Sequence, residues 1–418
     1  MQTISNSVVS EEIRKQIDHW TNAAIRLSHL EDSASQFAWS GVDNSTALLI
    51  KTSLKDSIQK LLEYCSIVKG QLKIHSSNKT KMLSDLYRLK GMYTQTENTL
   101  HFYTVALNSR TNPKISSLLR ACDYLCIKSM EEILPQLGYK TPRVLTYIDK
   151  GLGASILKAG QKLWDGSVST VAAVKVTQHN LLSPTAIIHE TGHQIAHILD
   201  LNQELAHNFA KDIKSNNKNV AEAFSGWASE IIADAFAFAN TGFASVWSLN
   251  NVVSGKPSSL FAYHFGDPHP ISYIRQLLGI EMCTAFYGKG PCDNLKEYFL
   301  EVNNINESDI PHKQLIIDCV KVLPQIVEII FKKPYKSFKS RTFINLIDPI
   351  KVSPIELLKL ESKAGSSLYT SHAWIWKECL KILALNGYKM ATSQKDLREE
   401  YDNQEKFMIK LGYSINLN

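Results

Sequence analysis

The 418-residue sequence predicts an α+β protein, mostly helical, in which one mixed strand–helix segment lies between two helical regions. Three observations carry that prediction. Apolar residues recur at spacings of three and four through most of residues 10–137, two β-type runs follow at 143–149 and 170–177, and helical periodicity returns beyond about residue 293. Hydrophobic residues at 44% and charged residues at 21% are ordinary globular usage, which excludes disorder as the main business of the chain. At roughly 100–200 residues per domain the length suggests two or three. The expected division is a helical bundle or arm over 1–140, a mixed core over 141–290 and a helical region over 291–418.

In the first region the helical runs are 11–30 (EEIRKQIDHWTNAAIRLSHL), 46–68, 81–107 and 115–134. Gly and Pro are sparse within them, and Pro113 stands at a start, where its missing N–H costs nothing. In the middle region RVLTYID and TVAAVKVT read as strands separated by the glycine-bearing GLGASILKAG. The last region reads as helix over 312–331 and 372–387, between connectors rich in Pro, Asn and Lys. No fixed-period repeat is visible.

A balance of 46 Lys+Arg against 40 Asp+Glu, net +6, has no concentrated basic stripe, so no nucleic-acid partner is expected. The most apolar stretch, 231–253, contains Asp234 and several Asn and Ser residues, so no transmembrane segment is expected either. The start, MQTISNSVVSEEIRKQ, lacks the pattern of a secretory signal. Seven cysteines without paired CxxC spacing fit a reducing, cytoplasmic setting. Cys122 and Cys126 lie one helical turn apart and are expected to be buried thiols.

The informative segment is TAIIHETGHQIAHIL, 185–199. His189 and His193 are four apart, so a helix projects both imidazoles from one face, able to grip one Zn2+, with Glu190 beside the open coordination position. A hydrolytic zinc site needs a third protein ligand. The pattern HExxHxxGxxH would need Gly at 196 and His at 199, where this chain has Ala196 and Leu199. His197 would have to bend back along the same helix and is read as a packing or surface residue. The segment GWASEIIADAFAFA instead offers Glu230 as ligand, with Asp234 one turn on to accept the second N–H of a ligating histidine. Charged side chains in so apolar a helix are costly unless paired. A third element, GDPHPISYIRQLLG, has Pro270 opening a helix after His269 and Arg275 on its second turn, within reach of a site carboxylate.

HETGH, then SEIIADAFA, then HPISYIR resembles the gluzincin metallopeptidases, most closely the HtpX-like proteases and CAAX prenyl endopeptidases, whose order is HExGH, ExxxD and HPxxxxR. The resemblance covers about residues 141–290. It implies a zincin-like core with one zinc ion held by His189, His193 and Glu230, Glu190 as general base, Asp234 supporting a histidine ligand and Arg275 bracing the site. His269 looks like the family residue that donates to the tetrahedral oxyanion, with Tyr263 and His264 as rival candidates. In this class of fold an edge strand holds an extended peptide, and TVAAVKVT is the candidate here. Members of the resembled type are commonly membrane-embedded, and this chain departs from them in having no span.

The expected activity is that of a soluble zinc metalloendopeptidase acting on protein or peptide substrates. The alternative is a gluzincin-like scaffold whose helical regions bind partners with little or no proteolysis. A regulatory protein partner on the helical regions fits either expectation.

Overall fold

The computed structural model describes residues 6–27, 33–74, 78–151, 153–306, 310–394 and 396–414. The protein is mostly helical with a small sheet. It divides into two compact units, one drawn from 1–116 and 159–172, the other from 117–158 and 173–418.

The first unit contains α1 (Asn6–Leu27), α2 (Gln36–Ser40), α3 (Asn44–Ile74) and α4 (Lys79–Asn108). Its core is the apolar face that the heptad-like spacing dictates: Ile13, Ile17 and Ala24 of α1, Leu61, Cys65 and Val68 of α3, and Met82, Leu86 and Leu89 of α4. Asp43 starts α3 by accepting from the backbone N–H groups of Ser45 (2.9 Å) and Thr46 (3.2 Å) and from both hydroxyls. Burial raises its carboxyl, but the hydrogen bonds from Thr46 and Ser45 win and hold it below the usual value. The segment 159–172 is tied to α4 by the Tyr103–Ser169 hydroxyl contact at 3.1 Å and by the rings of Phe102 and Trp164.

The second unit takes in most of α5 (Pro113–Glu131), then β1 (Arg143–Ile148), β2 (Ser155–Leu157) and, from residue 173, β3 (Val171–Val176), in the sheet order β1-β3-β2. β2 pairs antiparallel with β3, Ile156 opposite Val174. The strand expected to offer a free edge is therefore the central one, because both its sides are taken up. The available edge on the α6 side is β2, a three-residue strand inside the glycine-bearing connector. It has no alternating pattern long enough to be read from sequence.

Helices follow: α6 (Ala186–Ile198), α7 (Leu201–Asp212), α8 (Lys218–Gly226), α9 (Ala228–Thr241), α10 (Phe243–Val253), α11 (Pro257–Leu260), α12 (Ser272–Tyr287), α13 (Pro291–Val302), α14 (Lys313–Lys321) and α15 (Leu323–Lys332). Then come the two-residue strands β4 (Pro334–Tyr335) and β5 (Arg341–Thr342), and α16 (Pro354–Ala364), α17 (Ser367–Thr370), α18 (His372–Lys377), α19 (Cys379–Thr392) and α20 (Arg398–Ser414). Each of the two long C-terminal helices expected from periodicity is two. The 312–331 run breaks at Val322, since Pro324 has no N–H to continue the ladder, and the 372–387 run breaks at Glu378. α12 opens at Ser272 rather than at Pro270, because the Ile271 backbone (φ −49°, ψ 125°) is not yet helical.

α9 is buried on nearly every face, which is why its sequence is apolar all round. It packs on α6, α10 and α19. α20 closes on α5, where Arg120 Nε donates to the Gly412 carbonyl at 3.0 Å. All seven thiols are free and buried, Cys122 and Cys126 among them. Among the described residues no helix is long and apolar enough to cross a membrane.

Candidate metal centre and active site

α6 and α9 cross at Gly192, the glycine of HETGH. A Cβ there would lie 2.7 Å from Ala233 Cα and 3.1 Å from Ala233 O, so only glycine lets the two backbones approach this closely. The close crossing faces His189 and His193 of α6 towards Glu230 of α9 across a short gap.

The nitrogen and oxygen atoms converge. His189 Nε2 and His193 Nε2 are 3.1 Å apart, His189 Nε2 and Glu230 Oε2 3.4 Å, and His193 Nε2 and Glu230 Oε1 3.1 Å. Four ligands placed tetrahedrally at zinc bond lengths are separated pairwise by about 3.3 Å. The donor set fits one such ion, and among the described residues it is the one His/Cys/Asp/Glu group with that spacing.

The outer nitrogens fix which atoms face inward. His189 Nδ1 sits 2.7 Å from Asp234 Oδ1 and His193 Nδ1 3.3 Å from Ser229 Oγ. With both Nδ1–H groups donating outward, two Nε2 lone pairs face each other, an arrangement that asks for a positive charge between them, a proton or a metal ion. Burial lowers the His189 imidazole, but Asp234 and then Glu230 outweigh it and push it up to about 10. Burial also works against ionised Glu230, and its hydrogen bonds with the two histidines hold it well below the usual carboxylate range. The site favours cations.

Arg275 of α12 closes the set from behind. Its Nε and Nη2 donate to Asp234 Oδ2 (2.6 Å) and Oδ1 (2.8 Å), a bidentate fork, and Nη2 lies 3.3 Å from Glu230 Oε2. Burial disfavours ionised Asp234, while Arg275 and His189 hold its carboxyl below the ordinary value.

Glu190 is 7% exposed and lines the cavity that opens on the three converging side chains. Burial pushes its carboxyl above the usual range, partly offset by His189 and His193. His269 is exposed at the rim of the same cavity, with Nδ1 2.7 Å from Asp267 Oδ1 and Nε2 3.8 Å from Glu230 Oε1. Tyr263 and His264 do not line the cavity. Tyr263 packs edge-on against Trp227 and His312, and His264 is exposed in the loop before His269. His197 is exposed at the end of α6.

The cavity, about 580 Å³, is also lined by residues that sequence reasoning did not single out: Ser155 and Ile156 of β2, Asn180, and Ser248, Leu249 and Val252 of α10. β2 carries no strand signal, and nothing in the α10 segment distinguishes a cavity wall from core.

The chain matches no family model, no curated protein and no solved structure.

Proposed function

We propose that the protein is a zinc-dependent metalloendopeptidase of the gluzincin type, similar at its site to the HtpX-like and CAAX prenyl endopeptidases, and that it cleaves protein or peptide substrates. The observation that carries this reading is the set of three donor separations, 3.1, 3.1 and 3.4 Å, between His189, His193 and Glu230, close to the edges of a zinc tetrahedron. A zinc ion there would supply Lewis acidity towards a peptide carbonyl and lower the pKa of a coordinated water towards about 7.

The chain's own groups do the rest. Asp234 holds His189 in the tautomer that leaves Nε2 inward, and Arg275 holds Asp234. Glu190, partly desolvated beside the histidines, takes a proton from water and passes it to the leaving amine. His269, aimed by Asp267, donates a hydrogen bond to the oxyanion from the rim. The free edge of β2 lines the cavity, so Ser155–Leu157 accept the substrate backbone by strand addition. Seven free thiols support a reducing, cytoplasmic location.

The test is a digest of a proteome-derived peptide library with wild type and Glu190→Gln, alongside metal analysis. Expected are chelator-sensitive cleavage by wild type, a loss of about 10²–10⁴-fold in Glu190→Gln with zinc content unchanged, and loss of stoichiometric zinc in His189→Ala. Stoichiometric zinc in His189→Ala, or full activity in Glu190→Gln, overturns the reading.

A further inference from the structure

The strand edge beside the cavity lies in cationic surroundings. Residues 150–158 and 173–182, which hold β2 and most of β3, carry Lys150, Lys158 and Lys175 and no Asp or Glu. Lys158 and Lys175 are half-buried and Lys150 is exposed.

The lysines stand on both faces of the strand pair. Ser155 is opposite Lys175 across the β2–β3 ladder, so these two share one face, and Lys175 brings its Nζ within 3.5 Å of the Lys150 carbonyl. Lys158 takes the other face. The cavity lining takes in 153–156 at the start of the strand, passes over Leu157 and returns at Lys158, and alternate side chains of an extended segment point to opposite sides. Lys158 thus enters the lining from β2, the wall along which a substrate backbone would run.

The carboxylates deeper in the cavity are already paired. Asp234 is held in the Arg275 fork, and Glu230 lies between the two Nε2 atoms with Arg275 Nη2 at 3.3 Å. A segment added to β2 therefore meets ammonium groups on either face of its own backbone, one of them half-buried beside the cavity, where salt screens it less than at an exposed site.

We propose that the β2 edge selects an acidic peptide segment, with a substrate carboxylate side chain on the cavity face paired to Lys158 and a carboxylate on the opposite face drawn to Lys175. The proposal rests on the peptidase reading for β2 as the substrate edge. An uncharged side chain forgoes these attractions, and a cationic one is repelled by the same lysines.

The test uses three blocked nine-residue peptides on a Thr/Val host that carry Glu, Gln or Lys at alternate positions. Binding to Glu190→Gln protein with zinc added is measured by calorimetry at low and high salt, and hydrolysis by wild type. The Glu peptide is expected to bind about tenfold tighter than the Gln peptide and the Lys peptide to bind weakest, with the gap closing at high salt. Lys158→Met should remove most of that gap, Lys158→Glu should reverse the order of the Glu and Lys peptides, and Lys175→Met should narrow the gap by less. Melting temperature and zinc content are checked in each, so that a variant that fails to fold leaves the others to decide. Equal binding of the Glu and Gln peptides, no binding by any of the three, or the full gap in folded Lys158 variants overturns the proposal. Glu-selective, Lys158-dependent binding without hydrolysis supports the acidic edge and counts against the peptidase reading. Hydrolysis that is indifferent to the substituted residue overturns the proposal and leaves the peptidase reading standing.

Discussion

The α1, α3 and α4 packing of the first unit and the α6–α9 crossing of the second are both helix against helix, yet they bury different chemistry. In the first, the buried faces are Ile, Leu, Ala, Val, Met and a thiol, and the ion pairs, such as Arg14–Glu11 and Lys15–Glu12, lie on exposed surface. In the second, Glu190, His193 and Glu230 are among the buried residues, and His189, Asp234 and Arg275 stand with them at 14% exposure or less. Burying ionisable groups is costly unless each is paired or bound. The first packing is explained by stability alone, whereas the second retains groups that a purely structural core would replace by apolar ones.

The largest test of that contrast is Arg275→Ala. It removes the bidentate partner of Asp234 and the guanidinium beside Glu230, so global stability should fall by about 3–5 kcal/mol in denaturant unfolding, with weaker retention of any bound metal. If stability is unchanged, the buried charges are not held as described. Leu61→Ala, in the fully buried core of the first unit, should cost about 3 kcal/mol while zinc stoichiometry stays at the wild-type value. A change in metal binding by that variant would break the contrast between the two packings. Gly192→Ala forces α6 and α9 apart at Ala233 and should cost about 1–3 kcal/mol, read as a lower melting temperature together with weaker zinc retention under chelator.

The smallest effect concerns the cap of α3. Asp43→Ala should cost about 1 kcal/mol at neutral pH. The folded carboxyl lies below its unfolded value of about 3.9, so its contribution is fully present above that pH and is lost as the pH falls through the lowered folded value. Wild type and variant should therefore converge in acid. A gap that persists below the folded value would mean that the lost contacts are not those of the ionised form.

How far the sequence reached follows from which interactions are local. His189 and His193, and Glu230 and Asp234, each lie four apart on one helix, so helical geometry alone pairs them, and the amphipathic spacing of α1, α3, α4 and α5 is equally local. The expectation of a mostly helical chain with a small sheet rested on that spacing together with the two β-type runs at 143–149 and 170–177. What the spacing lacks is long-range pairing. Strand order put β3 in the middle because β2 exists only by pairing with it; of the two helix breaks, the one at Val322 had a local sign in Pro324 and the one at Glu378 had none. Gly192 did leave a trace, as the glycine of HETGH, though only the crossing at Ala233 gives it a reason.

Chain connectivity has a consequence for the order in which the protein can be made. The path passes between the units at 116/117, 158/159 and 172/173, so the first unit is complete only once residue 172 has been synthesised. In the second, Arg120 waits for its Gly412 partner across 292 residues of further synthesis. α6 and α9 are therefore synthesised, and able to meet at Gly192, long before α20 arrives to close on α5. A nascent chain thus holds α6 and α9 for an interval in an unfinished scaffold, and a chain cut short before α20 would carry their crossing without the contact that closes on α5.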